Sequence, residues 1–305
     1  MTAAPHERSF RVMGCRSWVQ VHGGDASLLD LAEARLRELE SLWSRFLDDS
    51  DITRANTSAG SAVVVHPDTL AIVGRAVDGW RQTGGRFDIT TLPALVIAGY
   101  THSTTGERVV APPVAANRIG TTMLIGIDHQ RSTLTVPVGS ALDLGGIGKG
   151  MAADITAEDL IEAGATGVVV NVGADIAFLG TPINDTSWVV GIEDPHDVPN
   201  HALVLRMQQG GVATSGTTVR RWTDSHGDAA HHLIDPTTGR PSSTPLLTAT
   251  VLAADTATAE VFATAAMMCR PDEALALLDA AGLAGFLVSA DGTQHRSANL
   301  EAFVP

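Results

Sequence analysis

The sequence predicts an α+β fold, with mixed, largely antiparallel sheets and packed helices. Two observations carry this expectation. Strand-like and helix-like stretches follow one another without the regular β–α–β rhythm of a parallel sheet. Of the 305 residues, 44% are hydrophobic and 18% charged, the balance of an ordered chain with a large core. No short-period repeat is present, and a single domain over 1–305 is expected, with a mobile insertion near 101–117.

The elements follow in order. Residues 10–22 alternate in part, with Val19 and Val21 on one face, and read as a first strand. Residues 25–46 form the clearest helix: Leu28, Ala32, Leu36, Leu39, Trp43 and Phe46 recur every three or four positions. Residues 48–60 are polar and read as loop. His66-Pro67-Asp68 opens a second helix with Leu70, Val73, Val77 and Trp80 on one face, ended by Gly84 and Gly85. The stretch RFDITTLPALVIAGY leads into the polar segment 101–117. Strands are expected near 122–127, 132–136, 168–172, 173–180, 188–195, 201–207, 247–252 and 285–289, and helices near 150–163, 257–269 and 272–281.

Charge and composition exclude some functions. Twenty basic against 34 acidic residues give a net charge of −14, which argues against a nucleic-acid surface. Two distant cysteines, Cys15 and Cys269, make no cysteine-rich metal site. No stretch is long and apolar enough to span a bilayer, and the N-terminal residues show no apolar export signal. A soluble cytoplasmic protein is the expectation, with membrane association only through a partner.

Four stretches could carry chemistry. DLGGIGKGMAAD, residues 143–154, has the glycines and lysine of an anion-binding loop. Its spacing is neither that of a P-loop nor of a dinucleotide fingerprint. It is either a ligand loop or a tight strand-to-helix turn. GGVATSG, 210–216, reads as a second small-residue loop, or a tight hairpin, with Thr214 and Ser215 offering hydroxyls. HHLIDPTTGRP, 231–241, sets two histidines ahead of a turn, in acid/base or structural roles. In ATAEVFATAAM, Glu260 and Thr264 stand four apart, so a helix puts a carboxylate and a hydroxyl on one face, suited to Mg²⁺ rather than zinc. The alternative is a helix buried by its alanines.

Taken in order, these and other motifs resemble the FAD:protein FMN transferases of the ApbE family along nearly the whole chain. The family's F-x-x-M-G-T is similar to the run from Phe10 through Met13 to Cys15, with Cys in place of Thr. Its aromatic-x-x-D-S-x-x-[ST]-x-x-N matches Phe46, Asp49, Ser50, Thr53 and Asn56, and its F-D-x-T-x-x-P matches Phe87, Asp88, Thr90 and Pro93. The glycine loop matches with Gly148 in place of Ala, and N-x-G-G-D becomes Asn171 to Asp175 with Ala174. W-x-V-G-I-x-D-P, A-T-S-G and H-x-I-D-P-x-T-G-x-P match residues 188–195, 213–216 and 232–241.

The resemblance implies a T-fold-related architecture. It also implies Mg²⁺-dependent transfer of FMN from FAD to a Ser or Thr hydroxyl of an acceptor protein, with release of AMP. Metal ligands carry over to the Gly146 carbonyl, Glu260 and Thr264. Glu260 stands where the family has Asp, one methylene shorter. Asp255 is the other acidic candidate there, but its i+4 position holds Ala259. FAD contacts carry over to Met13, Phe46, Arg86, Phe87, Asp88, Asp143, Lys149 and Ile234. Lys149 would hold charge during catalysis and His232 would act as base, unless it supports the Asp235-Pro236 turn. Asp143 and Asp154 would otherwise hold ribose, adenine or the loop. Two rival functions remain at this level: an FAD pyrophosphatase yielding FMN and AMP, and a non-catalytic FAD-binding protein.

Overall fold

The computed structural model describes residues 4–102, 106, 109–110, 117–183, 185–223, 227 and 229–305. The expected insertion at 101–117 lies largely outside the described residues. Among the described residues every strand pair is antiparallel, where the sequence predicts mixed, largely antiparallel sheets. The main sheet has eight strands in the order His6–Val12, Cys15–His22, Gly167–Val172, Asp175–Gly180, Gly210–Gly216, Leu246–Ala253, Ala284–Ser289, Gln294–Arg296.

Both faces of this sheet are covered, and period two sorts the side chains. Val168, Val170, Val172, Ala213 and Val251 face the larger core with the helices. Val169, Phe178, Val212, Leu252 and Phe286 face a smaller core closed by the hairpin Trp188–Glu193 and His201–Met207. The helices are α1 (Leu28–Trp43), α2 (Asp51–Thr57), α3 (Pro67–Gln82), α4 (Leu92–Ile97), α5 (Gly148–Glu162), α6 (Thr256–Ala266) and α7 (Pro271–Ala280). Helices α5 and α6 lie side by side on the sheet, and α1 packs against α5. The α1 stripe read from the sequence is buried from Leu28 to Trp43, whereas Phe46 falls beyond the helix.

Three sequence expectations need correction. The single strand over 10–22 is two strands joined at Met13 and Gly14, whose φ values of 52° and 69° make a tight hairpin turn. The polar stretch expected to be loop contains α2. Ser50 caps it, accepting from Thr53 N at 3.0 Å, while Ile52 and Ala55 enter the core. Its polar residues have long-range partners: Asn56 donates to Leu142 O at 3.0 Å and accepts from Leu142 N at 2.7 Å. That pair clamps the chain just before the glycine loop.

GGVATSG, expected as a loop or tight hairpin, is a central strand of the sheet. Its glycines serve helix packing, since a Cβ on Gly211 would lie 2.3 Å from Thr256 Cα at the start of α6. Helix α4 escaped prediction because only six residues carry its pattern.

Candidate functional site

The glycine loop turns directly into α5, so its amides and the helix N-terminus face the same space. Gly150 lets α5 meet α6: a Cβ there would lie 2.6 Å from Thr256 O. Asp154, one turn further on, accepts from Thr256 N at 2.9 Å and Ala257 N at 2.8 Å. It fastens the N-terminus of α6, so of its expected roles the structure assigns it the structural one. Burial pushes its carboxyl up to about 6 despite those two N–H donors. Asp255 caps α6 through Thr258 N at 2.8 Å and pairs with Arg75 at 2.5 Å.

With α5 and α6 locked in this way, Lys149 and Glu260 meet. The Lys149 ammonium donates to Glu260 and stands 2.6 Å from Asp175 Oδ2. Gly150 N donates to the second Glu260 oxygen at 2.7 Å. Burial opposes the charge on Lys149, but Asp175 and Glu260 outweigh it and raise the ammonium's pKa. One ammonium serves two buried carboxylates, so burial and the neighbouring Asp175 push Glu260 upward.

Lys149 and Glu260 line a cleft of about 640 Å³, a volume typical of small-molecule sites, with Asp175 buried beside them. Of the residues singled out in the sequence, Arg86, Phe87, Asp88, Asp143, Gly146, Lys149, His232, Ile234, Glu260 and Thr264 all line it. Met13 and Phe46 do not. Met13 sits in the hairpin turn with its N–H donating to Glu40 at 2.6 Å, and Phe46 packs in a small cluster with Leu92, Val109 and Ala141.

Each lining group is positioned from outside the cleft. Asp88 accepts from Thr90 N at 2.6 Å and Thr122 Oγ1 at 3.0 Å, leaving Oδ2 buried without a hydrogen-bond partner. Gly146 passes close to Thr264, where an added Cβ would lie 3.1 Å from Thr264 Oγ1. Ser215 Oγ is 3.2 Å from that same hydroxyl. His232 has its Nδ1 buried and without a partner. Burial, then the charges of Arg220 and Lys149, push this imidazole down to about 3.

Two cationic side chains of the cleft were missed. Arg45 donates to Asp143 Oδ2 at 2.8 Å and lies over the rings of Phe46 and Tyr100 at 4.9 and 5.0 Å. Arg220 lines the cleft near His232 and Lys149 and makes no ion pair among the described residues. The available signals were adjacency to the aromatic motif for Arg45 and to the histidine motif for Arg220.

The site can hold an anion through the loop amides, Lys149, Arg86 and Arg220. For a cation it offers the Gly146 carbonyl, the Thr264 hydroxyl and the Glu260 carboxylate. No cluster of three or more His, Cys, Asp or Glu that could hold a metal occurs among the described residues. A metal here would complete its shell with carbonyl, hydroxyl and ligand oxygens, the habit of hard cations.

Comparison with known proteins places the chain among relatives. A family model described as the ApbE family matches residues 13–287. The chain is 28% identical over 268 residues to an FAD:protein FMN transferase of Haemophilus influenzae, covering 84% of this chain and 76% of that protein. It is 30% identical over 288 residues to one of Treponema pallidum, covering 88% and 77%. The ApbE protein of Thermotoga maritima superposes with a TM-score of 0.86 at 23% identity, covering 99% of both chains. The apo flavinyl transferase ApbE of Pseudomonas stutzeri gives 0.82 at 24% identity, covering 98% and 96%. At those identities the two structures establish a shared fold.

Proposed function

The chain belongs to the ApbE family, and from that premise we propose that it transfers FMN from FAD to a Ser or Thr hydroxyl of an acceptor protein, with Mg²⁺ present and AMP released. One observation carries this reading. A single cleft gathers the Lys149 and Arg220 cations, the oxygens of Gly146, Thr264 and Glu260, and a His232 imidazole with an unpartnered buried nitrogen.

The residues present fit Mg²⁺. Asp175 and Glu260 are both buried and share one ammonium, and burial and the neighbouring Asp175 push the Glu260 carboxyl up, so a bound cation would favour its ionised, ligating form. The Gly146 carbonyl, Thr264 and Glu260 would hold the ion, with Asp175 beside them. Bound there, it would supply Lewis-acid polarisation of a phosphate oxygen.

The chain's own groups account for the rest. Loop amides and Lys149 receive the pyrophosphate, and Arg86 and Arg220 offset its charge. The acceptor oxygen forms a bond to the FMN phosphorus as the bond from that phosphorus to the bridging oxygen breaks. AMP leaves with that oxygen and its electron pair. His232 takes the hydroxyl proton, and solvent later removes it. Burial first, and then the charges of Arg220 and Lys149, make the imidazole a weak base; a bound pyrophosphate would offset the cations' part and raise its basicity.

Mass spectrometry tests the reading. A peptide carrying a Ser/Thr-Gly-Ala-Ser/Thr target is incubated with the protein, FAD and Mg²⁺. A mass gain of one FMN less water, with AMP in equal amount, is expected. AMP and free FMN with an unmodified peptide would make the protein a pyrophosphatase, and tight FAD binding without AMP would make it a flavin-binding protein.

A further inference from the structure

A second hollow of about 270 Å³ opens beside the main cleft, and Val219 and Arg220 line both. Its walls are the segments 99–102, after α4, and 219–222. Trp222 fastens the two walls together. Its indole N–H donates to Ala98 O at 2.7 Å, and its ring meets that of Tyr100 with centroids 5.1 Å apart. Gly99, at φ +99°, allows this approach, since a Cβ there would lie 3.1 Å from the indole nitrogen. The hollow therefore has an aromatic floor held by a hydrogen bond.

Its charge is unlike that of the rest of the chain. Among the described residues Arg220, Arg221 and His102 line it and no acidic side chain does, in a protein of net charge −14. Among the described residues Arg221 makes no ion pair and is exposed. At the rim, Val219 is 84% exposed. A basic hollow with an aromatic floor and an apolar lip suits an acidic, extended polypeptide. It is also continuous with the main cleft at Arg220, the neighbour of His232.

The geometry points to this hollow as the docking groove for the acceptor polypeptide, an extended segment with an acidic residue flanking the modified hydroxyl. The flanking carboxylate meets Arg221 and His102, and the hydroxyl turns past Arg220 into the cleft. This inference rests on the FMN-transfer reading for its choice of partner, but its test does not need turnover.

Two fluorescently labelled synthetic peptides share a Thr-Gly-Ala-Thr core, one flanked by aspartates and the other by lysines. Their binding is measured by anisotropy without FAD, and FAD affinity is measured separately by calorimetry. The acidic peptide should bind the wild type tighter than the basic one. Arg221→Glu should weaken acidic-peptide binding about three- to tenfold, as expected of an exposed charge pair and its reversal. Arg221→Lys should keep the preference, and FAD affinity should not change in either variant. Equal binding of both peptides, or no effect of Arg221→Glu, overturns the groove, as does a parallel loss of FAD affinity, which would assign the hollow to FAD. If the peptide preference holds while the mass-spectrometric assay detects no transfer, the groove stands and the transferase reading falls.

Discussion

The Lys149 ammonium lies 2.6 Å from Asp175 Oδ2 and donates as well to Glu260, joining the first turn of α5, the strand Asp175–Gly180 and the middle of α6. Two buried carboxylates share one ammonium, and burial and Asp175 push the Glu260 carboxyl up. Glu260→Gln should remove a ligand without leaving a lone buried charge, because Asp175 still pairs with Lys149. Metal-dependent AMP release should fall at least about 100-fold, while the melting temperature moves by only a few degrees, as for a loss of about 1 kcal/mol. Full Mg²⁺-dependent turnover in the variant would exclude Glu260 as a ligand.

Lys149→Met should behave in the opposite way. It leaves Asp175 and Glu260 together without their ammonium, a loss of about 3–5 kcal/mol by analogy with broken buried pairs. Added Mg²⁺ should restore part of the melting temperature, and more than it adds to the wild type. A variant as stable as wild type in chelator would mean that water already neutralises the corner.

His232→Ala should leave FAD affinity nearly intact and lower FMN transfer by about 10²–10⁴-fold, the usual contribution of a positioned base. Because the free imidazole is pushed down to about 3, kcat/KM for FAD should show no His232 limb between pH 5 and 8. The kcat profile, which reports the loaded enzyme, should carry a limb at higher pH than that of the free enzyme. A combined loss of stability, affinity and turnover in the alanine variant would point to a structural role.

Arg45 aims Asp143 into the cleft from a seat on two aromatic rings. Arg45→Met should keep the fold but free the Asp143 carboxylate, weakening FAD binding by about tenfold through loss of the hydrogen bond to a charged group. Arg45→Lys should recover only part of it, since an ammonium cannot reproduce the planar seat. Calorimetry on both variants checks this; unchanged affinity in both would remove the pair from FAD binding.

Asp154 gives a stability prediction with a definite sign. Its folded pKa, raised to about 6, exceeds the unfolded value of 3.8, so its contribution is full below pH 3.8 and disappears as pH rises through 6. Between pH 4 and 7 the stability of Asp154→Asn relative to wild type should therefore increase, by up to about 3 kcal/mol. Denaturant melts at several pH values measure it, and a constant difference would mean that the carboxyl titrates normally.

The cleft lining was largely legible in the sequence. Ten of the residues read from motifs line one cavity. Most of them came through the resemblance to a known family; by local pattern alone the sequence offered the glycine loop with Lys149, the histidines before the turn and the Glu260–Thr264 pair on one helix face. Arg45 and Arg220 were not legible in that way: their importance comes from Asp143 and His232, residues distant in sequence, and no local pattern encodes such a partnership. Met13 and Phe46 show the converse, since matching a motif did not bring them to the cleft wall.

The sequence by itself determined the α+β class, the buried stripes of α1 and α3, the glycine loop leading into α5, and the pairing of Glu260 with Thr264 on one helix. These follow from periodicity and backbone preference, which act over a few residues. Tertiary structure decided that GGVATSG is a central strand, that the polar run at 51–57 is a helix, and that Lys149 stands between Asp175 and Glu260. The physical reason is the same in each case. A small or polar residue gains its conformation from the partner it packs against or hydrogen-bonds, and here those partners, Thr256, Leu142 and Asp175, come from other parts of the chain.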